Sequence, residues 1–193
     1  MRKLIVCNIV SLDGFFSGPD GNVMVMPFDK GFSDYNAERL RAADTLLLGR
    51  KSFEMFRSYW PAIVEDESQP ALEREISRLN TAVEKVVVSN SLKADEVEGW
   101  GPTRVVRRAD AYAEITALKE MPGREILIFG SHVLWNDLLA RGLVDELHLM
   151  IGAGLVGEGV RAFETRAPGS LRLLDTRTFD GSSLLLTRYA GQR

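Results

Sequence analysis

The chain has a single cysteine, Cys7, and only two histidines, His132 and His148, in 193 residues. A lone cysteine excludes an intrachain disulfide and any multi-cysteine zinc or iron–sulfur site. The two histidines are too far apart in sequence to form a helical zinc pair. Positive charge is not in excess: 24 Lys and Arg face 27 Asp and Glu, for a net charge of −3 and a pI near 5.5. That leaves no global basic field for nucleic acid. No apolar run approaches the roughly 18 residues of a membrane span. The start, Met1–Lys3 followed by Leu4–Val10, imitates a signal peptide only until Asn8 interrupts it and Asp13 closes it, with no small-residue cleavage site after. A reducing cytoplasm is the simplest home, with no membrane partner. A Walker A motif is missing, and so is the Tyr-x-x-x-Lys of a short-chain dehydrogenase. What remains is an ordinary globular composition, 45% hydrophobic and 26% charged. At this length one domain over residues 1–193 is expected, burying about 70% of its unfolded surface without a staple.

Short β-branched runs alternate with amphipathic stretches. Leu4–Val10, Thr45–Leu48, Lys85–Val88, Thr103–Val106, Glu125–Phe129 and Leu147–Ile151 read as strands. Continuous apolar runs of this kind suit strands covered on both faces, as in parallel sheets. Between them Ser33–Ala43, Ser52–Tyr59, Ser68–Leu79, Asp110–Met121 and Val133–Ala140 carry apolar residues at helical spacing. Ser68 reads as an N-cap ahead of Pro70. Leu171–Phe179 and Ser183–Tyr189 flank Asp180-Gly181, which predicts a hairpin with a type I′ turn. The sum is a three-layer α/β chain with a mostly parallel mixed sheet and an antiparallel C-terminal hairpin.

Gly152–Gly157 matches G-x-G-x-x-G, follows a strand, and has Asp175 about 20 residues on. A dinucleotide fingerprint needs a helix to begin at its third glycine. Here Glu158-Gly159 follows at once and Ala167-Pro168-Gly169 soon after, so no crossover helix fits. The segment reads instead as a glycine loop passing close to something flat.

Phosphate-compatible groups gather at three other strand ends. In Phe129-Gly130-Ser131 a strand ends in glycine and a helix begins, so free N–H groups and the helix dipole favour an anion. Gly49-Arg50-Lys51-Ser52 repeats the arrangement with two cations and a hydroxyl, and Arg50 can grip phosphate bidentately. Ser89-Asn90-Ser91 is a third polar cluster. Ligands of open α/β sheets sit beyond the carboxyl ends of strands, so the three together point to one extended, multiply phosphorylated ligand. Each taken alone reads first as an ordinary cap and turn; the two readings come level only for the three together. Arg104, Arg107 and Arg108 add positive charge, as solvated surface groups or as a field near an anion.

These segments, in this order, resemble the dihydrofolate-reductase-like fold. Within it the chain is similar to the reductase-domain family named after the C-terminal half of the bacterial riboflavin-biosynthesis deaminase–reductase. The matching stretches are Ser11–Phe15, Ala43–Glu54, Lys85–Ser89, Ile126–Ser131 and Gly142–Leu147. With no deaminase domain ahead of it, the chain reads as a stand-alone member. The resemblance implies NADPH. Gly49, Arg50, Lys51, Ser52, Ser89 and Asn90 would hold the adenosine 2′-phosphate end, and Gly130, Ser131, His132 and Val133 the pyrophosphate. The family often has a glycine pair at Gly130-Ser131, and a proline where Ala153 stands. Gly157-Glu158-Gly159 and Phe163 fit its later glycine loop. A homodimer is a further implication.

A reduction also needs a proton source or an oriented water. Asp13, in a Ser-x-Asp-Gly turn after the first strand, is the nominated acid, either orienting a pyrimidine- or pteridine-like ring or relaying a proton. The same pattern is also an Asx turn. Dihydrofolate reductases place their acid at the start of the next helix, where Asp34 is the nearest equivalent. Phe16 and Trp60, with Phe28, Phe32, Tyr35 and Tyr59, are candidate walls of a substrate pocket or members of the core. Arg161 and Arg166 are candidates for a second, ribose-phosphate site. The implied activity is NADPH-dependent reduction of a small heterocycle, such as 5-amino-6-(5-phosphoribosylamino)uracil or dihydrofolate. The alternative is a nucleotide- or flavin-binding module without turnover.

Overall fold

A computed structural model describes residues 1–164 and 171–191. In chain order the elements are β1 (Leu4–Val10), β2 (Phe15–Ser17), α1 (Lys30–Ala42), β3 (Ala43–Gly49), α2 (Arg50–Ile63), α3 (Ala71–Ala82), β4 (Glu84–Val88) and β5 (Thr103–Val106). They continue with α4 (Ala111–Glu120), β6 (Glu125–Phe129), α5 (His132–Ala140), β7 (Glu146–Ile151), β8 (Val160–Arg161), β9 (Arg172–Thr178) and β10 (Leu185–Ala190). They fall into two units, one of residues 1–4 and 36–131, the other of residues 5–35 and those from 132 on.

In the first unit the strands run β5-β4-β3-β6, every pair parallel. Leu46, Leu47, Leu48, Val87, Leu127 and Ile128 are fully buried, as strands covered on both faces require. Register sets the site: Gly49 pairs with Val88 and Leu46 with Leu127, so the β3, β4 and β6 ends lie near one level. Helix α3 begins at Ala71 with Pro70 at its N-cap and no side-chain cap. Ser68, expected to cap it, instead hydrogen-bonds Asp66 through both backbone N–H and hydroxyl. The other end of α3 is capped from β4. The buried Lys85 ammonium donates to the carbonyls of Asn80 (3.0 Å) and Thr81 (2.8 Å) and lies 4.7 Å from the Trp100 ring. A cation on the last carbonyls of a helix also complements its dipole.

In the second unit the order is β1-β7-β10-β9, with β1–β7 parallel and the other two pairs antiparallel. Every residue of the terminal strand β9 is exposed. The hairpin forms, but its turn differs from the expected type I′, which needs positive φ at both central residues. Gly181 has φ 72 and Asp180 is not in that region. Asp29 fixes the connection instead, accepting from the Ser182 hydroxyl and the Ser183 N–H. A small antiparallel pair, β2–β8, escapes the sequence pattern because its strands are too short to show alternation.

The second unit also buries a polar chain. His148 Nδ1 meets the Tyr35 hydroxyl at 2.9 Å, and His148 Nε2 meets Glu146 at 2.8 Å. Arg188 joins Glu146 (3.1 Å) to Asp175 (2.9 Å). Tyr35 is therefore a core residue, not a pocket wall. No described helix is long and apolar enough to cross a membrane.

Candidate functional site

The strand ends of the first unit are tied together by two serines. Gly49 N–H donates to Ser131 Oγ at 2.8 Å, and Ser131 N–H donates to Ser52 Oγ at 2.8 Å. Each hydroxyl accepts one backbone bond and keeps its own O–H to donate. Gly49, the N-cap of α2, makes no side-chain cap, so first-turn N–H groups of that helix face outward. Gly130 and Ser131 are successive left-handed residues, with φ 62 and 54. That explains a glycine pair as the family's usual choice. A serine here carries about 1–2 kcal/mol of strain, offset by the hydrogen bond its hydroxyl makes.

Arg50 links two of the three clusters. Its Nε donates to Glu54 at 2.7 Å and its Nη1 to Ser91 at 2.8 Å. The Glu54 carboxylate, by hydrogen bond and charge, holds the guanidinium more firmly protonated than usual. Ser89 is buried and its hydroxyl accepts from the N–H groups of Ser91 and Leu92, closing an ST turn. Asn90 accepts from Arg108 N–H. Arg107 binds the Ser89 and Leu92 carbonyls, and Arg104 pairs with Glu84 and Glu114. These arginines brace the loop or pair on the surface. Lys51 is exposed beside the cluster. Trp60 lies apart from it, at about 1.5 Å per residue about 12 Å along α2 from Ser52, edge-to-face with Phe56 and Tyr59.

In the second unit Asp13 does not close an Asx turn. Its carboxylate accepts from the Ser11 hydroxyl (2.6 Å), Val156 N–H (3.1 Å) and Gly157 N–H (2.7 Å). These bonds, Ser11 foremost, hold it well below the usual carboxylate range, at about 2. It therefore stays ionised at neutral pH, with the glycine loop as its partner. The loop it grips is the Gly152–Gly157 segment. No helix follows Gly157 among the described residues, as the chain breaks there had indicated. The flat neighbour is Pro27, whose ring leaves no room for a side chain on Gly152. Ala153 is exposed in this loop. Arg161 lies over the Phe15 ring at 4.4 Å and donates to the Asp13 carbonyl; Arg166 is outside the described residues.

Phe16, half-buried on β2, faces the His132 ring at 4.9 Å. His132 Nε2 lies 2.7 Å from the Arg161 carbonyl and 3.1 Å from that of Ala162, which assigns the proton to Nε2. Its Nδ1 is 3.3 Å from Glu164. The ring is thus occupied in fastening the strand after the glycine loop to α5. Asn136 helps, donating to the Ala162 carbonyl and accepting from Glu164 N–H. Val133 is exposed in the first turn of α5. Asp34 is ion-paired with Lys30, and Phe28 stacks on Phe32. Glu54 and Asn136 were missed. Glu54 and Asn136 sit four residues beyond Arg50 and His132 on the same helix faces, the one available signal. Among the described residues no His/Cys/Asp/Glu cluster could hold a metal ion.

The strand order, the serine-tied strand ends and the C-terminal hairpin define a three-layer α/β protein of the dihydrofolate-reductase-like class. The chain belongs to the RibD C-terminal domain family, whose model matches residues 2–185. It is 32% identical over 181 residues to the uncharacterized protein YyaP of Bacillus subtilis (strain 168), covering 92% of this chain and 89% of that one. A diaminohydroxyphosphoribosylaminopyrimidine deaminase/5-amino-6-(5-phosphoribosylamino)uracil reductase from Thermotoga maritima superposes with a TM-score of 0.69 at 12% identity. The match covers 99% of this chain and 57% of that one. Dihydrofolate reductase from Enterococcus faecalis, solved with NADP(H), gives 0.62 at 14% identity, over 99% and 97% of the two chains.

Proposed function

We propose that the chain is an NADPH-dependent oxidoreductase, one reductase domain over residues 1–193, acting on a small pyrimidine- or pteridine-like heterocycle. Substrates of the 5-amino-6-(5-phosphoribosylamino)uracil or dihydrofolate kind are the model. Family membership supports the reductase class. The observation that carries the cofactor is the Gly49–Ser131–Ser52 linkage with Arg50 beside it. Two hydroxyls with free O–H groups, an uncapped helix N-terminus and a guanidinium together suit phosphate groups.

When bound, the dinucleotide supplies a hydride to the acceptor. Arg50, with Ser91, would receive the 2′-phosphate, and Lys51 would raise the local potential. Ser89 and Asn90 shape that rim. Gly130 and Ser131 would hold the pyrophosphate through backbone N–H groups and the Ser131 hydroxyl, and the family resemblance adds His132 and Val133. Asp13 orients the glycine loop through Val156 and Gly157, Phe16 offers an aromatic face, and water supplies the proton. Trp60 belongs to the packing of α2. The same reading expects a homodimer in the cytoplasm and a place in riboflavin-type biosynthesis.

One observation favours the non-catalytic module: both Asp13 oxygens are already engaged. Saturable, acceptor-dependent NADPH oxidation separates the two readings. The first test is a titration with NADPH and with NADH, followed by nicotinamide fluorescence, alongside Arg50→Ala. Micromolar NADPH binding, weaker NADH binding and loss of that preference in the variant are expected. If neither nucleotide binds, the reductase reading fails.

A further inference from the structure

The geometry points to Glu54 as a positioning residue that sets discrimination for a 2′-phosphorylated dinucleotide, by holding the Arg50 guanidinium in place. This rests on the nicotinamide reading above. An exposed arginine samples many rotamers, and freezing it on binding costs affinity. Arg50 is frozen beforehand. Glu54, one turn along α2, takes Nε at 2.7 Å, and Ser91 takes Nη1 at 2.8 Å. The N–H groups left over are one on Nη1 and two on Nη2. Both terminal nitrogens thus keep donors for a phosphate.

Glu54 also carries a negative charge near an anion, which opposes binding. Both side chains are about half exposed, 50% for Arg50 and 46% for Glu54, so water and salt screen that repulsion. Orientation therefore outweighs repulsion. Two variants separate the effects. Glu54→Gln keeps an oxygen for Nε and removes the charge; Glu54→Ala removes both. Because Glu54 is exposed, neither variant disturbs the core.

The experiment titrates wild type, Glu54→Gln and Glu54→Ala with NADPH and NADH. It repeats the titration with adenosine 2′,5′-bisphosphate and adenosine 5′-monophosphate. Glu54→Ala is expected to weaken both 2′-phosphorylated ligands about fivefold and leave the other two within about twofold. Glu54→Gln is expected to restore the wild-type ratio. Equal loss of all four ligands in Glu54→Ala, or tighter 2′-phosphate binding in both variants, overturns the assignment. So does an unchanged ratio in Glu54→Ala. A wild type with no preference for NADPH over NADH instead defeats the nicotinamide reading itself, and Glu54 falls with it.

Discussion

The two units solve the same problem differently. In the first, each functional group sits at the end of the strand that carries it, and parallel register alone brings Gly49, Ser89 and Gly130 near one level. In the second, the glycine loop depends on contacts from distant chain, chiefly Asp13 gripping Val156 and Gly157 from 143 and 144 residues away. The contrast teaches that a strand–turn–helix site is local information, whereas a loop clamped by a carboxylate is not. It extends to the interior. The first unit buries cations one at a time, Lys85 on helix carbonyls and Arg2 against Asp44. The second buries a chain of Tyr35, His148 and Glu146 that the half-buried Arg188 closes.

The largest expected effect breaks that second interior. Glu146→Ala leaves His148 and Arg188 without their shared acceptor and should cost about 3 kcal/mol of unfolding free energy in urea. A loss under about 1 kcal/mol would make the network incidental.

Next comes the clamp. Asp13→Asn replaces an acceptor for two N–H groups with an amide that turns a donor toward one of them. Turnover should fall about 100-fold with nucleotide binding nearly unchanged, since small displacements near the reacting centre are costly. The folded pKa of Asp13 is depressed from 3.8 to about 2. Its contribution to stability is thus present above pH 3.8 and lost as pH falls toward 2. Activity should show no limb from this group near neutrality, and an acidic limb that vanishes in the variant at pH 5–7 would return Asp13 to proton handling.

Lys85 sharpens the comparison from the other side. Burial pushes its ammonium down from 10.5 to about 8. Between those values the unfolded chain binds the extra proton, so stability should rise with pH from about 8 to 10.5, by on the order of 2 kcal/mol. Lys85→Met should flatten that rise in pH-dependent denaturation, and an identical slope in both proteins would refute it.

The smallest effect tests the strand ends. Ser131→Ala removes the acceptor for Gly49 N–H and should cost about 1 kcal/mol, read by thermal unfolding, while weakening nucleotide binding severalfold. Unchanged binding would reduce the serine linkage to a fold feature.

Much of this was legible beforehand. β1, β5 and β6 have the bounds their apolar runs indicated, and the Gly49–Ser52, Ser89–Asn90 and Gly130–Ser131 clusters all lie at strand ends. Trp60, offered as a pocket wall or a core residue, packs against Phe56 and Tyr59, and helical spacing alone does not separate those roles. The cap at Ser68 was misread because Asp66 competes for it locally.

By itself the sequence determined the main strands and helices, the parallel character of the first four-strand set, and which strand ends carry hydroxyls and cations. Those follow from periodicity, β-branching and turn chemistry, all short-range. Only the tertiary structure decided that Asp13 is a loop clamp held ionised, that His132 fastens β8 to α5, and that Glu54 and Ser91 share Arg50. Each of those roles depends on which partner fills a side chain's hydrogen-bonding capacity, and for Asp13 and His132 that partner lies far along the chain.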